Sequence, residues 1–99
     1  MNLTGKQKAY LKKLIHSASP VVMIGAKGVS EQVIKTIDEE LKLKELIKIK
    51  FVEFKEEKKV LFPEIAEKVG AFPVSLIGNI GTLYRQNSDG EEQKIKIPF

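Results

Sequence analysis

The stretch PVVMIGAKGVSEQVI, residues 20–34, constrains the fold more than any other part of the chain. Pro20 pushes the residue before it out of helical backbone, so a helix ends there. Val21 to Ile24 is an unbroken apolar run, as expected of a buried strand. Gly25-Ala26-Lys27-Gly28 then makes a corner. Ser30 suits a helix N-cap, and Glu31 suits the positive end of the helix dipole. Val33, Ile34, Ile37 and Leu41 follow at helical spacing, and Leu46 to Val52 is a second strand with alternation in its middle. A strand running through a corner into a helix and on to another strand implies parallel neighbours joined by a right-handed crossover.

The flanking segments extend this unit. Thr4-Gly5-Lys6-Gln7 has the form of a capping box. Tyr10, Leu11, Leu14 and Ile15 predict a buried stripe, with Lys6, Lys12, Lys13 and His16 turned away from it. Glu53 to Lys59 reads as a charged loop or a frayed helix start. Pro63 suits the first turn of a third helix, whose apolar positions are Ile65, Ala66 and Val69 and whose stop is Gly70. Residues 72–77 and 82–85 predict two strands joined by a turn at Gly78-Asn79. Residues 87–90 read as a loop. Lys94 to Ile97 alternates and would add a short edge strand, its lysines facing water. The expected fold is α/β: one compact two-layer domain over residues 1–99, ordered α-β-α-β-α-β-β, with three helices on a mixed sheet of four to five strands.

Composition narrows the function classes. The chain has no cysteine, which removes disulfides, thiolate nucleophiles and Cys-based zinc sites. No apolar run approaches a membrane span, and the N-terminus lacks the features of a signal peptide, so a cytoplasmic protein without a membrane partner is expected. The net charge is +4, and its placement matters more than its size. Residues 1–30 hold Lys6, Lys8, Lys12, Lys13 and Lys27 and no acid, whereas twelve basic residues face thirteen acidic ones from Glu31 onward. The whole excess sits in the first helix and the glycine corner, as an anion-binding face requires.

Four places could carry chemistry. Gly25, Ala26, Lys27 and Gly28 form a GXXG loop. Small residues there would let a phosphodiester backbone reach main-chain N–H groups, the following helix offers unpaired donors, and Lys27 adds a charge. A GXXG loop clamps nucleotides in KH-type modules, where it joins two helices rather than a strand and a helix. Gly78-Asn79-Ile80-Gly81 repeats the pattern without a basic tip or a following helix and reads as hairpin chemistry. His16 is either a helix-end residue near the last carbonyls or a donor to phosphate or a base. Arg85 is either a fork for phosphate or a surface salt bridge. Tyr84 is either a stacking platform or a strand tyrosine half in the core. The run Asp38-Glu39-Glu40 diverges around its helix and does not form a metal cluster. No serine lies in a nucleophile elbow, and GAKG lacks a Walker loop's length and ending, so neither catalysis nor a cofactor or metal is expected.

The ordered set LTGKQKAYLKKLIH, VVMIGAKGVSEQVIKTIDEEL, ELIKIK and VSLIGNIGTLYR resembles the CRM domain (chloroplast RNA splicing and ribosome maturation) in its stand-alone bacterial, YhbY-like form, over residues 3–85. The resemblance implies an RNA-binding module with a fold similar to the C-terminal domain of translation initiation factor 3. It further implies ribosomal RNA or precursors of the large ribosomal subunit as partner. The loop Gly25–Gly28, the helix carrying Lys6, Lys8, Lys12 and Lys13, and Arg85 match the family's motifs. A monomer is expected. A rival expectation is a protein-interaction adaptor docking through the acidic second helix and the sheet, and a more distant one is a small hydrolase.

Overall fold

A computed structural model of the chain describes residues 3–87. The order of elements is α1 (Gly5–Ile15), β1 (Val22–Ile24), α2 (Glu31–Lys44), β2 (Leu46–Phe51), α3 (Lys58–Val69), β3 (Phe72–Ile77) and β4 (Ile80–Tyr84). The four strands lie in the order β1-β2-β4-β3. β1 runs parallel to β2, and β4 is antiparallel to both β2 and β3. The expected α/β class, mixed sheet and three helices are all present, and the fifth strand expected at 94–97 falls outside the described residues.

Local chemistry sets the boundaries. The Gln7 backbone N–H donates to Thr4 Oγ1 at 3.1 Å and the Thr4 N–H to Gln7 Oε1 at 2.9 Å, closing the capping box of α1. Ser30 Oγ accepts from the Val33 N–H at 3.2 Å and caps α2. Glu45 turns α2 into β2 with a left-handed φ of 64° and is fully buried. Pro73 lies in the edge strand β3, where a missing ladder donor is tolerated, and a register shift follows it between Pro73 and Ser75.

The sheet separates two apolar clusters. Ile47, Ile49 and Phe51 of β2, Val22 and Ile24 of β1 and Leu83 of β4 meet Ile37 and Leu41 of α2 and Phe62, Ile65 and Val69 of α3. Strand side chains alternate faces. Leu46, Val74 and Tyr84 therefore point the other way, where Leu3, Leu11 and Ile15 cover them. α1 thus lies alone on the second face, and the two expected layers are joined by a third, partial one. Leu14, expected in the stripe of α1, is 50% exposed because α1 touches the sheet along a narrow line through Leu11 and Ile15.

Boundaries differ from expectation at α1, β4 and α3. α1 stops at Ile15, five residues before Pro20, and β4 starts at Ile80 rather than Thr82. α3 begins at Lys58, so Pro63 lies inside the helix rather than in its first turn. Proline there forfeits the bond to the Lys59 carbonyl and costs about 3 kcal/mol. The added turn places Phe62 in the core, 3% exposed, beneath Gly81 of β4. Gly70 ends α3 as expected, with φ 65°, and the Ala71 N–H returns to the Ala66 carbonyl. No described helix is long and apolar enough to cross a membrane.

Candidate functional site

The corner Gly25–Gly28 is a tight turn closed by the Gly28 N–H on the Gly25 carbonyl at 2.9 Å. Its two glycines have different reasons to be there. Gly28 has φ 66°, and a Cβ on it would press on the Phe54 ring at 3.2 Å. The backbone angle favours glycine at that position, and the ring crowds any side chain placed there. Gly25 has no left-handed φ, and a Cβ there would meet nothing within 4 Å. The fold gives no reason for glycine at 25, and open space lies beside it. Ala26 and Lys27 are exposed at the tip, and Ser30 starts α2 two residues after the corner.

The lysines of α1 divide into two groups. Lys8, Lys12 and His16 follow one another at four-residue steps and so lie along one side of the helix. Lys12 and His16 border a hollow with Lys48, Ser75, Ile77 and Thr82 of the sheet. Lys6 and Lys13 are seven residues apart and lie opposite Leu11 and Ile15, on the side turned from the sheet. Against the expectation that both turn away from the buried side, Lys12 and His16 border the sheet, with Lys8 in line with them along the helix, while Lys6 and Lys13 lie on the outer side of α1.

α1 is anchored at the Leu46–Tyr84 end of the sheet, and the glycine corner leaves from the Ile24–Phe51 end. Five strand steps separate these rows, about 17 Å. Lys48 and Lys50 span the interval. They alternate with Ile47, Ile49 and Phe51 and face the α1 side. Lys48 Nζ donates to the carbonyls of His16 and Ala18 at 3.1 and 3.0 Å, closing the C-terminus of α1. Lys50 is exposed, with Met23 of β1 and Ile80 of β4 as its cross-strand neighbours. Met23 at 51% and Ile77 at 63% exposure show that α1 leaves this half of the face uncovered. Sequence reasoning missed both lysines of β2. Their signal was the alternation itself, which becomes informative once α1 is known to lie on that face.

Arg85 lies elsewhere. Its guanidinium donates to Asp38 Oδ1 at 2.6 Å, to the Val69 carbonyl at 2.7 Å and to the Asp38 carbonyl at 3.0 Å. It ties the middle of α2 to the end of α3, on the face opposite α1 and at the far end of the sheet from Gly25. Of the two readings of Arg85, the ion pair is the one formed. The Arg85 hydrogen bond and charge, with Lys42 beside them, hold the Asp38 carboxyl below its ordinary value of 3.8 against the opposing effect of burial. Tyr84 is 1% exposed in the cluster under α1, so its ring has no face to offer a base. Burial and the nearby Glu45 carboxylate raise its phenol above 10.0. In the acidic run, Asp38 pairs with Arg85 and Lys42, and Glu40 with Lys44. No group of three metal-ligating side chains occurs among the described residues.

The arrangement suits a strand of negative charge. A side-chain-poor corner with a cationic tip leads onto a half-open sheet face carrying Lys50 and Lys48, with Lys12 and His16 at its rim. The chain is similar to several known proteins. Residues 3–85 match the CRS1/YhbY (CRM) domain. An "RNA-binding protein" of Haemophilus influenzae is 40% identical over 97 residues, covering 97% of this chain and 95% of its own. The "Probable RNA-binding protein YqeI" of Bacillus subtilis is 36% identical over 97 residues, covering 97% and 99%. The solution structure of the hypothetical protein SAV1595 from Staphylococcus aureus superposes with a TM-score of 0.78 at 37% identity, covering 97% of this chain and 99% of that one.

Proposed function

The chain belongs to the CRS1/YhbY (CRM) domain family, and from that premise we propose that it is a small, non-catalytic RNA-binding protein that assists assembly of the large ribosomal subunit. It acts in the cytoplasm as a monomer. The Gly25–Gly28 corner receives the RNA backbone, Lys27 neutralises a phosphate there, and the strand continues over Lys50 towards Lys12 and His16. Lys8 borders this path, while Lys6 and Lys13 add longer-range attraction from the outer side of α1.

One observation carries the reading: Gly25 is a glycine that neither backbone angle nor packing requires, placed beside an exposed lysine. An open main chain at the end of a strand, followed directly by a helix N-terminus, is a suitable seat for phosphate oxygens. The names of the relatives support RNA as the polyanion, and the large-subunit role rests on family resemblance. The adaptor reading is weakened because Asp38 and Glu40 of α2 already pair with cations of this chain.

Salt titration tests the reading. With four to six phosphate contacts, log affinity for single-stranded RNA should fall with log salt at a slope of roughly −3 to −4, about −0.7 per contact. Lys27→Glu should weaken binding about tenfold at low salt and flatten the slope by roughly 0.7. Wild-type affinity in both Lys27→Glu and Lys50→Glu would remove the corner and the sheet from the interface.

A further inference from the structure

Phe54, on the loop between β2 and α3, has no place in either apolar cluster. Its backbone takes a left-handed φ of 57°, a conformation that non-glycine residues rarely adopt. The side chain is 40% exposed, and its neighbour Val52 is 44% exposed. The loop is nevertheless held in place. The N–H groups of Val52 and Glu53 both donate to the Ile24 carbonyl at 3.0 Å, and the edge of the Phe54 ring rests on Gly28. An aromatic ring is thus fixed, partly in water, against the corner that the proposed function assigns to RNA backbone.

Ala26, Val52 and Phe54 border an open hollow completed by Glu53, Lys55, Glu56 and Glu57. Three carboxylates against one ammonium repel phosphate, so the hollow suits an uncharged part of a nucleic acid. A nucleobase has the matching chemistry. Its face stacks on an aromatic ring. Its amino groups can donate to carboxylates, as cytosine N4 does to Glu or Asp. Adenine, cytosine and guanine carry such groups. Uracil presents two carbonyls around a single N–H and fits an acidic rim worst.

We propose that Phe54 is the stacking platform for one unpaired nucleobase of an RNA strand whose backbone crosses Gly25–Gly28, with the glutamates of the hollow favouring amino-bearing bases over uracil. This inference rests on the RNA-binding reading, and the experiment separates the two.

The chain contains no tryptophan, so Phe54→Trp introduces a single reporter. Short single-stranded oligoadenylate, oligocytidylate and oligouridylate are the probes. Tryptophan emission should be quenched by the first two at lower concentration than by the third. Phe54→Leu keeps an apolar side chain without a π face. It should weaken oligoadenylate and oligocytidylate binding about fivefold to a hundredfold and leave the salt slope unchanged, because no ion pair is removed. If Phe54→Leu binds as wild type, or the Phe54→Trp emission does not move at saturating RNA, while Lys27→Glu still weakens binding, the platform is refuted and the corner stands. If the wild-type chain binds none of the probes, both fall. Equal affinity for all three overturns the role of the glutamates. A concentration-dependent emission change without RNA gives the hollow to a second copy of this chain and overturns the inference.

Discussion

The chain carries the pattern GXXG twice, and the two copies meet different physical demands. At Gly78–Gly81 both glycines are needed by the fold. Gly78 holds the hairpin turn with φ 59°, and a Cβ on Gly81 would intrude into the Phe62 ring. At Gly25–Gly28 only the second glycine is so constrained, and the first faces empty space. A motif read as letters cannot distinguish these cases. The test is whether each glycine is accounted for by φ or by a neighbour, and of the four glycines in the two copies only Gly25 is left over.

The comparison breaks or sharpens at four positions. Gly81→Ala should have the largest effect, destabilising by about 3 kcal/mol in urea unfolding as Phe62 is displaced. A neutral outcome would mean that the second copy is less constrained than its packing indicates. Arg85→Ala extends the contrast to cations and should cost about 2 kcal/mol, below the range for a fully buried pair because Asp38 is 38% exposed. Its RNA salt slope should match wild type, unlike that of Lys27→Glu. The same variant has a pH signature. Asp38 titrates lower when folded than when unfolded, so its contribution is present above the ordinary value of 3.8 and lost as pH falls below it. Arg85→Ala should therefore lose less stability than wild type on acidification below about pH 4. Gly28→Ala should cost about 1–2 kcal/mol for its left-handed φ. Gly25→Ala should move stability by less than about 0.5 kcal/mol, as for an open surface site. Gly25→Asp should then weaken RNA binding without lowering the melting temperature, and a loss of stability in Gly25→Ala would erase the asymmetry between the two copies.

Much of this architecture was legible in the sequence because punctuation and periodicity agreed. Thr4 with Gln7, Ser30 and Gly70 mark helix ends by local hydrogen bonding or a left-handed turn. Pro20 does not, because α1 already stops at Ile15. The start of α3 was not legible. Pro63 is a good first-turn residue by local rules, and the helix extends past it because Phe62 must reach Gly81, a contact between residues 19 positions apart. The placement of α1 was hidden for a related reason. Alternation in β2 reveals two faces, but only Tyr84 and Val74, far along the chain, show that the lysine face is partly covered. Arg85 was open between two readings because its partner Asp38 lies 47 positions away. Of the site, the corner and Lys27 could be read directly. The division of the α1 lysines, the contribution of Lys50 and the unequal status of the two glycines each required a neighbour from another element.

The carboxyl-terminal edge of the described chain has a practical consequence. The Arg85 N–H donates to the Glu45 carbonyl at 2.8 Å, and the Asn87 N–H donates to Glu45 Oε2 at 2.7 Å. The polypeptide is fastened there, at the opposite end of the sheet from the glycine corner. Shortening the chain to remove Asn87 would take a donor from a carboxylate with no solvent exposure.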